Sequence, residues 1–297
     1  MAMAEFIRRV ELDKSGKERT PDSVSINQLV REMYFRKGYD KAPLSKEEMI
    51  ARCYTGGFNA LNTSWESFQI GNDGVLRGTL APTRFMLSKA VQDISKESGD
   101  EVGGSVSIRM AHVSMLLPAM RNGKPVLIGQ KKGTKKEMLG AGQIHAGATA
   151  GNVAAKYLEA ENPLLAALRG EMNRNLALDL SLLNHSDLCF CVHEPEIGLV
   201  NVGAVAKRVQ VEDVVSAYLR SISGEPLQNL EVRGLALIPI EDAGSIVNGL
   251  EVFEPNGNGG GEWKFVEQPV LRPYTKAIID LLGDKANQGR LIKLAGL

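Results

Sequence analysis

The chain is poor in cysteine, in aromatic residues and in net charge, and it has no long apolar run. Only three cysteines occur among 297 residues, Cys53, Cys189 and Cys191, so they cannot pair completely. That number excludes a disulfide scaffold, and no further ligands at metal spacing lie near them. Cys189 and Cys191 alternate in the run LCFCV, which reads as a strand carrying two buried, reduced thiols on one face. His185 and His193 bracket that run at a spacing that matches no zinc pattern. Aromatics are 5% of the residues, and Trp65, Phe68, Trp263 and Phe265 are too scattered for a base-stacking surface. Thirty-five basic residues balance thirty-five acidic ones. With no bulk basic field, nucleic acid is a poor partner and any polyanion contact must be local. No run reaches the length of a membrane span, and the opening MAMAEFIRRVELDKSGKERT lacks the apolar core of a secretory signal. A cytoplasmic protein with no membrane partner is expected. Neither a G-x-S-x-G elbow nor a G-x-x-x-x-G-K-[ST] loop occurs.

What is present is ordinary globular material, 43% apolar and 24% charged. The length predicts one main domain with an extension. Phe6 to Leu12 alternates and reads as an edge strand. Ser25–Lys37 and Ser45–Tyr54 read as helices, the second opened by the capping-box spacing Ser45-x-x-Glu48, and Thr83–Ser95 as a third. Residues 1–103 are therefore expected to form a mainly helical extension, whose long helices hint at a homodimer. After Gly104 the register changes. Val106 to Ala119, a turn at Arg121-Asn122-Gly123-Lys124, and Pro125–Ile128 form a hairpin. A helix follows near Pro163. Strands are expected at Leu188–Val192, Gly198–Ala206, Val232–Ile240 and Trp263–Val266, with helices at Val211–Ser221 and Pro273–Leu282. Interleaving of this kind predicts an α/β or α+β domain over residues 104–297 with a sandwiched sheet.

The most informative stretch is Gly140–Leu178, GAGQIHAGATAGNVAAKYLEAENPLLAALRGEMNRNLAL. A glycine turn lets backbone N–H groups approach phosphate, and carboxylates one turn apart on a following helix can hold a hard divalent cation. Just upstream, Lys131, Lys132, Lys135 and Lys136 flank Gly133 in a basic loop suited to phosphate oxygens. His145 lies inside the turn, in reach of phosphate or of proton transfer.

The two-strand lead HVSMLLPA and PVLIGQ, the glycine turn, and ENPLLAALRGEMNRNLAL together resemble the Nudix fold and its signature segment. That signature is G, five residues, E, seven residues, then R-E-U-x-E-E-x-G-U, with U a bulky aliphatic. The resemblance covers about residues 104–284, and GLALIPI before the late helix TKAIIDLLG suits it. It implies a Nudix-like α/β/α sandwich with a mixed sheet. Glu161, seven residues, then Arg169 reproduces the E-to-R spacing. Beyond that the pattern departs. Anchored on Glu171, the metal-binding glutamate pair becomes Arg174 and Asn175; anchored on Arg169, it becomes Asn173 and Arg174. An arginine at about 4 Å from a cation site opposes the metal by several kcal/mol. Gly170 in a helix costs about 0.5–1 kcal/mol against alanine, with no packing gain visible in the sequence.

The resemblance therefore implies a degenerate catalytic box. The protein would bind a small nucleotide-like or phosphorylated ligand through Gly140, Gly142, His145 and the four lysines, with weak or no hydrolysis. One alternative is an active hydrolase of a nucleoside diphosphate derivative, with Glu161 and Glu171 catalytic and Glu159, Glu161 and Glu171 holding Mg2+ or Mn2+. Without activity no cofactor is implied. A further alternative is a non-enzymatic regulatory or structural module acting through its N-terminal region.

Overall fold

Strands dominate the molecule. The structure, a computed structural model, describes residues 1–17, 61–84, 109–133, 142–175, 186–195, 198–224, 230–256 and 258–297. Along the chain lie β1 (Met3–Phe6), β2 (Arg9–Lys14), β3 (Leu61–Ile70), β4 (Val75–Arg84), β5 (Arg109–Arg121), β6 (Lys124–Lys132), β7 (Ile144–His145) and β8 (Thr149–Asn152). Then follow α1 (Pro163–Asn175), β9 (Phe190–Glu194), β10 (Leu199–Val205), β11 (Val209–Gln210), α2 (Val211–Ser221) and β12 (Val232–Pro239). The chain ends with β13 (Gly249–Pro255), β14 (Gly261–Glu267), α3 (Pro273–Leu282) and α4 (Lys285–Ala295). This is a mixed α+β fold with one large sheet, in which β10 runs parallel to β5 while β6 and β9 run antiparallel to their neighbours. No helix among the described residues is long and apolar enough to cross a membrane.

The 13-residue β5 organises the sheet. Asn122 and Gly123 both take positive φ, 51° and 76°, which closes the tight hairpin to β6 in the expected place. Met110 to Leu116 pair with β10, and Leu117 to Arg121 pair with β6 on the other side. β6 then diverges from β5 and continues the sheet through β12, β13 and β14. The gap between them is filled by β7, which pairs with β6, and by β8, which pairs with β5.

The described part of residues 1–103 consists of strands, not helices, and these strands pair with the sheet that follows. β1 pairs with β9, β3 with β5 and β4, and β2 with β4. Only Ile7 and Arg8 separate β1 from β2. Ile7 N–H donates to Cys189 O and Arg8 N–H to Gly74 O, each near 2.8 Å. The ladder thus returns to its start, through β1/β2, β4, β3, β5, β10 and β9, and leaves no free edge within this ring. Ile7, Trp65, Leu76 and Leu80 are fully buried in one core with Val113, Cys191 and Val202. The helices expected at Ser25–Lys37 and Ser45–Tyr54 lie outside the described residues. So does most of Thr83–Ser95, whose first two residues end β4.

Helices cover both faces of the sheet. Leu164, Ala167 and Leu168 of α1 and Val211, Val214, Ala217 and Tyr218 of α2 join the core just described. Tyr274, Ala277 and Ile278 of α3 and Leu291 of α4 join a second core with Leu116, Leu127, Phe190 and Val192. Adjacent residues such as Met115 and Leu116 therefore face opposite cores, as strand alternation requires. The two thiols do not share a face. Cys189 precedes β9, where its backbone is pinned by Gly203 O and Ile7 N–H, and its side chain enters the second core while Cys191 enters the first. Both are buried and free, and burial pushes both thiols up.

Candidate functional site

The residues singled out in the sequence are dispersed. Gly142 has φ of 71°, and its N–H donates to Gly133 O at 2.8 Å. Lys131 Nζ lies 2.6 Å from Glu254 Oε1, and Lys264 approaches the same carboxylate at 3.6 Å. Lys132 is buried, with Nζ 3.3 Å from Glu231. Lys135, Lys136 and Gly140 lie outside the described residues. Glu159 and Glu161 are exposed, at the end of a 3-10 turn that packs against β3 and β4 and just beyond it. Glu171 lies on α1, as do Arg174 and Asn175, with side chains outside the described residues. Magnesium or manganese needs several hard oxygen donors. Among the described residues no group of three His, Cys, Asp or Glu side chains could hold a metal ion.

Gly170 does have a packing role, contrary to the expectation from sequence. A Cβ there would overlap the Tyr157 hydroxyl, so the residue makes room for the 3-10 turn beneath α1.

His145 does join a cluster, and it leads to residues the sequence did not single out. It is 3% exposed, its Nδ1 accepts from Gly147 N–H at 3.0 Å, and its ring stacks on Tyr274 at 4.4 Å and 10°. The cluster grows from β5, where His112 and Ser114 share a face. Asn152 of β8 and Asn201 of β10 stand opposite His112 on either side. Buried Ser114 donates to Asn201 Oδ1 at 2.6 Å, which leaves the Tyr274 hydroxyl, 2.8 Å away, as donor to Ser114. Thr275 Oγ1 donates to Ile144 O at 2.7 Å and accepts from Ala146 N–H at 3.0 Å, and Arg272 N–H also reaches Ile144 O. These bonds fasten the start of α3 to the strand that follows the glycine turn. Gln130 Nε2 donates to Ala148 O, while its buried Oε1 has no partner among the described residues.

Arg272 caps α3 and is followed by Pro273, which fits the first helical position. Burial lowers its pKa, partly offset by the Glu194 carboxylate at the end of β9. Desolvation brings His112 to a pKa of about 4, with the Arg272 charge adding to the fall and a hydrogen bond with Asn152 opposing it. Burial holds His145 well below its ordinary value, and Arg272 and then Lys132 act in the same direction. His112 and Arg272 each keep part of their surface exposed although protein atoms surround them closely. The cluster brings a partly exposed guanidinium, a type able to grip an oxyanion, near two imidazoles and the amides of Asn152 and Asn201. The Ser114 hydroxyl is committed to Asn201 and Tyr274, so the arrangement suits binding better than nucleophilic attack.

A faint mark of this site exists in the sequence: polar residues interrupt strands that are otherwise apolar, as in HVSMLL and LVNVGAV. Arg272 carries no such mark, since an arginine before a helix-opening proline is unremarkable on a surface. No family model matches this chain, and none of the curated proteins compared with it matches.

Proposed function

We propose that the protein is Nudix-like in fold with a degenerate catalytic segment. In this reading it binds a small phosphorylated or nucleotide-like ligand, with weak or no hydrolysis, near Arg272 at the start of α3. The observation that carries the proposal is Arg272. A guanidinium drawn out of water costs several kcal/mol unless an anion or hydrogen-bond acceptors compensate it, and for Arg272 burial outweighs the one carboxylate, Glu194, that acts on it among the described residues. A phosphate oxygen pair accepting from Arg272 would supply what is missing. Lys131 and Lys132, engaged by Glu254 and Glu231, play a lesser part than their sequence suggests.

The test is thermal unfolding with AMP, ADP or ADP-ribose in the presence of EDTA, alongside phosphate-release assays with magnesium or manganese. Binding at a hundredfold excess over Kd stabilises the fold by about 2.7 kcal/mol. That shift is expected in the wild type and in Glu161→Gln, and is expected to vanish in Arg272→Gln. Phosphate release that Glu161→Gln or Glu171→Gln abolishes would establish the hydrolase instead. Ligand binding that survives Arg272→Gln would refute the assigned site.

A further inference from the structure

β14 is the last strand of the sheet, and among the described residues it pairs with β13 alone. Antiparallel pairs alternate between those that exchange two backbone hydrogen bonds and those that exchange none. Asn256 N–H donates to Gly260 O at 3.0 Å, which continues the register in which Pro255 faces Gly261. The bonded pairs are therefore Glu254 with Glu262, Val252 with Lys264 and Leu250 with Val266. Pro255, which has no N–H to give, falls at an unbonded pair. The N–H and C=O groups of Gly261, Trp263, Phe265 and Glu267 thus point away from β13, toward the open side. This edge carries no proline and no bulge, and it displays Phe265, which is 65% exposed. Its charges, on Glu262, Lys264 and Glu267, are of mixed sign.

We infer that β14 is the docking edge for a second copy of this chain, paired antiparallel about a two-fold axis at Trp263. This surface is separate from the ligand site argued above. An axis through one residue sets that residue against itself, so each choice of centre fixes every other pair. Centred on Lys264, the axis opposes two lysines. Centred on Phe265, it sets Lys264 against Val266 and Trp263 against Glu267, with no charge pair. Centred on Trp263, it sets Glu262 of each copy against Lys264 of the other, at an unbonded pair where side chains approach most closely. Phe265 of each copy then faces Gly261 of the other, which has no side chain and lies against the Phe253 ring. The aromatic contact of Phe253 with Trp263, at 5.4 Å between centroids, is thereby extended across the junction. Backbone bonds form at the Trp263 pair and at both Gly261–Phe265 pairs. So short a ladder makes a weak dimer, with a dissociation constant of about 1–100 µM.

Sedimentation equilibrium of the full chain at about 5 to 500 µM tests this. The mass is expected to rise with concentration from 32.2 kDa toward twice that value. Phe265→Pro removes an outward N–H while keeping the bonds to β13, so it is expected to fold and to stay monomeric. Lys264→Glu is expected to raise the dissociation constant at least tenfold, and Glu262→Lys combined with Lys264→Glu to restore it to within about threefold. A wild type that stays monomeric throughout, or a dimer that Phe265→Pro leaves intact, would overturn the inference. A Lys264→Glu defect that the double variant does not repair would overturn the Trp263 register. Should circular dichroism show Phe265→Pro unfolded, Lys264→Glu and its repair decide alone.

Discussion

His112 shows how one residue can make stability depend on pH. It sits on β5 with Asn152 and Asn201 to either side, and burial together with the Arg272 charge keeps its ring neutral down to about pH 4. In the unfolded chain the same ring titrates near 6.5. Between those values the unfolded state binds a proton that the folded state refuses, so stability is retained above pH 6.5 and lost as pH falls toward 4. The difference corresponds to roughly 3 kcal/mol. Urea unfolding of the wild type and of His112→Gln at pH 7 and pH 4 should show the wild type losing about that much more. Equal losses in the two proteins would show that His112 is not desolvated as described. His145, lowered in the same direction, adds to the acid sensitivity of both. Both histidines are visible in the sequence as polar breaks near apolar runs. Their coupling is not, because Arg272, which acts on both, lies more than a hundred residues away along the chain.

At the scale of elements, local chemistry explains much of what forms. The Asn122-Gly123 turn sets the β5–β6 hairpin. α2 and α3 occupy the expected spans because their apolar residues recur at helical spacing. α4 carries local signals as well: Asp284 caps it by accepting from Ala286 N–H at 2.7 Å, and Gly296 ends it in the left-handed region. The strands β3, β4 and β13 were harder, since each mixes polar and apolar residues without clean alternation. α1 is where packing overrules propensity. Alanine in place of Gly170 would favour the helix by about 1 kcal/mol, but its Cβ would overlap the Tyr157 hydroxyl, and such overpacking costs about 1–3 kcal/mol. Gly170→Ala is therefore expected to destabilise the wild type by about 1 kcal/mol and to become neutral or stabilising in Tyr157→Phe. Chemical denaturation of the four proteins of this cycle measures the coupling; the same effect in both backgrounds would remove Tyr157 from the explanation.

For the molecule as a whole, the decisive feature is the short connection between β1 and β2. These strands pair with β9 and β4 and bring Ile7 into the centre of the core. A fragment of residues 104–297 would leave β9 and the start of β5 with open edges, and would lose Ile7, Trp65, Leu76 and Leu80 from a close-packed interior. Truncating even one such buried side chain to alanine costs about 2–5 kcal/mol, against a total stability of about 5–15 kcal/mol. The fragment is expected to be unfolded or aggregated, by circular dichroism and gel filtration, whereas the full chain unfolds in one cooperative transition. A soluble, cooperatively folding fragment would show that the first hundred residues are an appendage.

The sequence alone determined the features that depend on neighbours in the chain. The hairpin turn and the spans of α2 and α3 are readable within a dozen or so residues. The closing of the strand ring and the buried cluster of Ser114, Asn201 and Tyr274 were decided only by the tertiary structure. Ile7 meets Cys189, Ser114 meets Asn201 and Tyr274, and Thr275 meets Ile144 across separations of 87 to 182 residues. No local pattern encodes such meetings. They follow from how the whole sheet buries its two faces.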